Sequence, residues 1–141
     1  MSRARTLAVL GSLAVTATPA AAASTSSHTK LWKNKSGSVV CGVENHPKSK
    51  SATTVLCGSE GIPRAKHGFG DPFVQIGARG SAQLVLLSQD SFEGSGTPAT
   101  IRSGETWSSL GVTCTLGAKT VTCKNESKHG FTIGNGKYKS F

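Results

Sequence analysis

The sequence predicts an all-β fold, a small single-domain β-sandwich or barrel with two hairpin-closing disulfides, and three observations carry that expectation. Short runs rich in Val, Thr, Leu, Phe and Trp recur at close intervals, separated by clusters of Gly, Pro, Asn, Asp and Ser. Glycine is abundant, at 17 of 141 residues, and no stretch carries the 3.6-residue apolar period of an amphipathic helix. The four cysteines sit where two hairpins can each close on their own pair.

The chain opens on MSRARTLAVLGSLAVTATPAAAAS. Arg3 and Arg5 precede an apolar stretch from Leu7 to Thr18 and then a run of alanines, the layout of a secretory signal peptide. Residues 1–23 are expected to be that peptide, with cleavage before Ser24. The apolar stretch is interrupted by Gly, Ser and Thr and falls short of the about 20 apolar residues that span a bilayer, so no membrane span is expected. The first cysteine is Cys41, so a lipid anchor at the cut is not indicated. Residues 24–29 read as a disordered leader, and 30–141 as a secreted all-β domain.

Strands are expected at 30–33, 37–43, 53–57, 73–76, 83–87, 99–102, 111–116, 120–124 and 131–133. In the first hairpin, pairing Cys41 with Cys57 sets Val43 opposite Val55 on the cysteine face. The segment between, Asn45 to Ala52, carries His46-Pro47 and reads as an exposed turn. QLVLL at 83–87 is apolar on both faces, which predicts a central strand. SFEGSGTPA at 91–99 reads as the most flexible connection. In GVTCTLGAKTVTCKN, a two-residue turn at Ala118-Lys119 sets Gly117 against Thr120, Leu116 against Val121 and Cys114 against Cys123. Val112, Cys114, Leu116, Val121 and Cys123 then share one face; Thr113, Thr115, Thr120, Thr122 and Lys124 share the other.

The expected bridges are therefore Cys41–Cys57 and Cys114–Cys123, each contributing roughly 3 kcal/mol by loop entropy. An immunoglobulin-like Cys41–Cys114 bridge lacks the Trp that should follow its first cysteine. Zinc is not expected, since neither a C-x-x-C nor an H-x-x-x-H pair is present. The expected core is Trp32, Val39, Val43, Val55, Phe73, Ile76, Val85, Leu87, Trp107, Val112, Leu116, Val121 and Phe131.

KHGF occurs twice, at 66–69 and 128–131. The flanks of the two copies do not match, which argues against a true repeat. Each reads as a turn in which the glycine takes a positive φ and the Phe enters the core. An acid/base pair of His67 and His129 would need both to converge on one phosphate beside a cation, and nothing in their spacing indicates it. No G-x-S-x-G elbow is present, and GSGT at 94–97 has no partner arrangement. Glu44, Glu60, Asp71, Asp90, Glu93, Glu105 and Glu126 form no acid/base pattern. No catalytic residue and no cofactor is expected; a small secreted hydrolase is the least supported reading.

GVTCTLGAKTVTCKNESKHGFTIGNGKYKSF resembles the C-terminal signature of a family of small secreted actinobacterial proteins of unknown function: a glycine-led strand, Cys, a short turn, "vTC-N", "GHGF", a short strand, an aromatic residue and a terminal Phe. Upstream, LWKNKSGSVVCGV is similar to that family's "F-x-S-P-S-G-N-I-x-C" opening, VLCGSEGIP to its second cysteine, and FGDPFVQIGARGSAQLVLL to its central strand pair. The resemblance runs from Leu31 to Phe141. It implies that His129, Gly130 and Phe131 belong to a family signature and that His67-Gly68-Phe69 is a look-alike. It carries no activity. Lys128 stands where the family often has Gly, and 84–86 lies where longer members often carry another cysteine.

Net charge is +9, from 16 Lys and Arg against 7 Asp and Glu; removing Arg3 and Arg5 takes two positive charges from it. On a strand, Lys137 and Lys139 share a face, with Phe141 on their side and Tyr138 opposite. With Lys119, Lys124 and Lys128 they make a candidate anion-binding patch. Expected partners are an anionic cell-wall polymer or an extracellular protein, bound by a monomer. Specific nucleic-acid recognition is not indicated, because arginine is scarce and most aromatics read as core. The alternative is an extracellular protease inhibitor presenting Lys50 or Arg64 from a rigid loop.

Overall fold

The computed structural model describes residues 30–43, 54–64, 69–87 and 97–141. They form strands β1 Leu31–Lys33, β2 Val39–Val43, β3 Val55–Ser59, β4 Asp71–Ile76, β5 Gln83–Leu87, β6 Ala99–Thr100, β7 Thr106–Ser109, β8 Val112–Leu116, β9 Thr120–Asn125, β10 Gly130–Gly134 and β11 Lys137–Ser140. Among the described residues no helix is long and apolar enough to cross a membrane.

Two sheets result. The first has order β5-β4-β3-β2-β1-β6, an antiparallel meander with β6 added in parallel beside β1. The second, β11-β10-β9-β8-β7, is antiparallel throughout. They pack as an open sandwich around one core rather than closing into a barrel.

The core is built from two equivalent rows. Trp32, Cys41, Cys57 and Val74 are register partners across β1 to β4. Trp107, Cys114, Cys123 and Phe131 are register partners across β7 to β10. The rows lie against each other. The Trp32 and Trp107 rings are tilted, with centroids 5.4 Å apart, and the Cys57 and Cys123 sulfurs are 4.0 Å apart. Both sulfurs are oxidised, so this is van der Waals contact between two bridges, Cys41–Cys57 and Cys114–Cys123. The bridges join strand neighbours with Cα separations of 4.1 and 4.0 Å, the short spacing of cross-strand pairs that exchange no backbone hydrogen bonds. Each tryptophan removes enough apolar surface to contribute roughly 4–6 kcal/mol as an upper estimate.

Two buried asparagines pin the sheets together. Asn34 Oδ1 accepts the Val39 N–H within its own turn, while Nδ2 donates across the sandwich to the Ala118 carbonyl at 3.2 Å. Asn125 repeats the arrangement from the other sheet. Its Oδ1 accepts the His129 N–H, and its Nδ2 donates to the Gly77 and Gly80 carbonyls at 3.1 and 2.7 Å. Each amide thus meets turn backbone that burial would otherwise leave unpaired, a loss of about 1–3 kcal/mol per group.

The registers expected for both hairpins are present, including Val43 opposite Val55, Leu116 opposite Val121, and the Gly117 N–H donated to the Thr120 carbonyl. Four expectations need correction. QLVLL is an edge strand, not a central one. Val85 and Leu87 are accordingly half-buried and stand with Phe73 and Asp71 on the outer side of the first sheet. Phe73 is buried there, outside the inter-sheet core. Phe69 is 102% exposed whereas Phe131 is 0% exposed, so only the second of the two phenylalanines enters the core. Gly130 is not in the left-handed region; the positive φ of that turn belongs to Lys128, at 66°. The segment expected to be signal peptide and leader, the turn containing Lys50, most of 91–99, and His67 lie outside the described residues.

Candidate binding face

Alternation along each strand divides the second sheet cleanly. On β8 the burial pattern places Val112, Cys114 and Leu116 inward and Thr113 and Thr115 outward. On β9, Val121, Cys123 and Asn125 are buried, and Thr120, Thr122 and Lys124 face outward. Registers extend this order across the sheet. Thr106, Thr115, Thr122 and Thr132 are successive partners from β7 to β10, and Lys139 on β11 completes the row. One step along the strands, Ser108, Thr113, Lys124 and Gly130 form a second row. It ends at Phe141, which exchanges both backbone hydrogen bonds with Gly130 at 2.9 and 3.0 Å. Lys137 lies opposite Gly134, itself opposite Thr120.

This outer face is hydroxyl-lined and basic, and no outward strand position carries Asp or Glu. Of the five lysines singled out from the sequence, the fold brings Lys124, Lys137 and Lys139 onto it. Lys119 sits in the β8–β9 turn, at the end of the sheet where Lys137 enters β11. Lys128 lies in the β9–β10 turn at the opposite end. All five are exposed, and among the described residues none is held in an ion pair. The Ser108 hydroxyl bonds Thr113 Oγ1 at 2.9 Å, and Thr122 and Thr132 share a hydroxyl–hydroxyl bond of 2.9 Å.

The signature residues serve this face from beneath. A Cβ at Gly130 would collide with the Cys123 carbonyl oxygen and stand 2.6 Å from the Phe141 ring. Glycine is needed there for space, so that the ring can lie on the strand. Phe131 points the other way, into the core. His129 is exposed, and its contacts run through its backbone: its N–H to Asn125 Oδ1 and its carbonyl to the Asn125 N–H. Asn125 was the residue sequence reasoning passed over, although it is the "N" of "vTC-N". Its signal was an asparagine in a strand position that the alternation assigns to the interior.

At one end the face dips into an open concavity of about 400 Å³, lined by Ser108, Leu110, Thr113, Lys124, Asn125 and Glu126 among others. The two-residue β7–β8 turn is Leu110-Gly111, with φ of 57° and 73°. Asn or Gly usually fills the first position of such a turn, because a bulky residue is strained there. Leu110 nevertheless holds it and is 39% exposed.

Elsewhere the structure brings less together. Arg64, one of the two inhibitor candidates, pairs with Asp71 at 2.8 Å in an exposed setting. Glu105 Oε2 accepts the Arg102 N–H and closes the β6–β7 turn. Among the described residues no group of three or more His, Cys, Asp or Glu gathers as a metal site. No family model, curated protein or solved structure matches the chain.

Proposed function

We propose that this chain is a secreted, non-enzymatic binding protein that associates with an anionic polymer of the cell envelope through the outer face of its second sheet. One observation carries the reading: Lys124, Lys137 and Lys139 share a face free of carboxylates at its strand positions, and no ion pair among the described residues engages them. Unneutralised ammonium groups on one side of a small domain attract an extended polyanion, and counterion release makes that attraction salt-dependent. Secretion is supported by the leader-like start of the sequence and by two fully buried disulfides, which persist in oxidising compartments. Membership of the actinobacterial family is supported by the way its signature works as one unit here: Asn125 holds the backbone of His129, Gly130 exchanges backbone hydrogen bonds with Phe141, and Phe131 stands opposite Cys123.

The test is co-sedimentation of oxidised protein with purified cell walls, with and without their anionic polymer, at low and high salt. Binding is expected only to walls that retain the polymer, and it should fall several-fold in the double variant K137Q/K139Q. Equal binding to stripped walls would refute the reading. Inhibition of a trypsin-like protease that disappears in R64A would replace it with the inhibitor alternative.

A further inference from the structure

Resting on the reading above, we infer that the polymer suited to this face is a polyol or sugar phosphate, with its phosphates at the lysines and its hydroxyls on the threonine row. A face that recognised charge alone would need only cations. Here a line of hydroxyls, Thr106, Thr115, Thr122 and Thr132, runs across four strands into Lys139, with Lys124 in the neighbouring row on one side and Lys137 in the neighbouring row on the other. Neighbouring strands are about 4.8 Å apart, so a hydroxyl recurs at that interval along the row.

Strand propensity alone does not produce this pattern. Val, Ile and Tyr suit an exposed strand as well as Thr does, yet none occupies an outward position on β7 to β10. Part of this surface is also pre-oriented, by the Thr122–Thr132 bond within the line and the Ser108–Thr113 bond beside it. A hydroxyl offers one donor and two acceptor sites, so each of these bonds uses only part of the capacity of its two groups. The remainder suits a ligand that alternates hydroxyl groups with phosphate oxygens.

Nucleic acid fits less well. Single strands stack successive bases on several aromatic side chains, and this face offers one ring, Phe141, 51% exposed and packed on Gly130. The concavity at the β7–β8 end offers a seat for one repeat unit. Its lining combines Ser108, Thr113 and Lys124 with the apolar Leu110, and includes the carboxylate residue Glu126.

The experiment titrates the full oxidised chain with poly(glycerol phosphate), inorganic polyphosphate and double-stranded DNA at equal phosphate concentration, at low and high salt. Poly(glycerol phosphate) should bind about tenfold tighter than polyphosphate, the effect of roughly two additional net hydrogen bonds, and should retain measurable binding at high salt. T115V/T122V, which keeps shape and strand propensity, should lose the preference while keeping salt-sensitive binding to all three probes. T115S/T122S should keep it, which separates hydroxyl loss from misfolding. Equal affinity for all three probes, or a preference that survives T115V/T122V, would overturn the polyol assignment and leave the anionic-polymer reading standing. Failure of every probe to bind at low salt, or binding unchanged in K137Q/K139Q, would overturn both.

Discussion

The two sheets are alike on the inside and opposite on the outside. Inward, each presents a row of Trp, Cys, Cys and a bulky apolar residue, and each sends one buried asparagine across to the other's turn. Outward, the first sheet places Leu56, Phe73, Val85 and Leu87, with Leu56 wholly buried although it points away from the inter-sheet core. The second places exposed lysines and exposed or half-buried threonines outward, with two buried glycines on β10 between them. Equivalent interiors satisfy one requirement, a dense core between two sheets. The exteriors share no such requirement and diverge, and the binding role proposed above rests on the outer face of the second sheet.

The largest test of the inner likeness is removal of each bridge. Replacing Cys41 and Cys57, or Cys114 and Cys123, with alanine should each lower stability by about 3 kcal/mol in denaturant unfolding. The first pair should have the slightly larger effect, because its sequence separation is 16 rather than 9. Losses differing by several kcal/mol would break the equivalence.

A second pair probes the outer faces, since each carries an aromatic ring folded over a glycine of the adjacent strand. At Gly58 an added Cβ meets the Phe73 ring at 2.8 Å; at Gly130 it meets both the Phe141 ring and the Cys123 carbonyl. A ring can rotate aside, but a backbone carbonyl in a ladder cannot. Gly130→Ala should therefore lower stability by about 2–3 kcal/mol and Gly58→Ala by about 1 kcal/mol. Thermal melts of both variants would show whether that order holds.

The asparagine pins should come next. Asn125→Ala and Asn34→Ala are each expected to lose about 2 kcal/mol, Asn125 slightly more because it reaches two carbonyls across the sandwich and Asn34 one. Amide exchange at His129 and Val39, whose N–H groups these side chains accept, would show the local opening. The smallest effect is expected at Lys128. Its φ of 66° favours glycine, so Lys128→Gly should raise stability by less than about 1 kcal/mol. A decrease would mean that the lysine side chain holds the turn.

Sequence patterns exposed what was local. Both hairpin registers followed from period-two alternation around a cysteine, and Lys137, Lys139 and Lys124 could be assigned to their faces by the same rule. QLVLL misled because an apolar outer face and a central position leave the same trace in one strand. The outer layer formed by Leu56 and Phe73 explains its apolarity at the edge instead. TWSS of β7 carries one large apolar residue beside two serines, too little alternation to announce a strand. The parallel pairing of β1 with β6, Trp32 beside Ala99, joins residues remote in the chain and leaves no local mark. The threonine row was half visible. Thr115 beside Thr122 came from the β8–β9 turn, but adding Thr132 required the β9–β10 turn, whose geometry depends on the Asn125 cap.

The meander order of each sheet has a consequence for how the chain acquires its bridges. Each bridge joins two cysteines consecutive in the chain, the first with the second and the third with the fourth, so correct oxidation can be decided inside a single hairpin, before either half has encountered the other. Local closures of this kind are fast and entropically inexpensive. Only after the halves dock do Cys57 and Cys123 approach to 4.0 Å, where thiolate attack could scramble the partners. By then an oxidised chain has no free thiol left to start the exchange. Oxidation hairpin by hairpin would thus guard the pairing, and the reduced chain should regain both bridges without an isomerase.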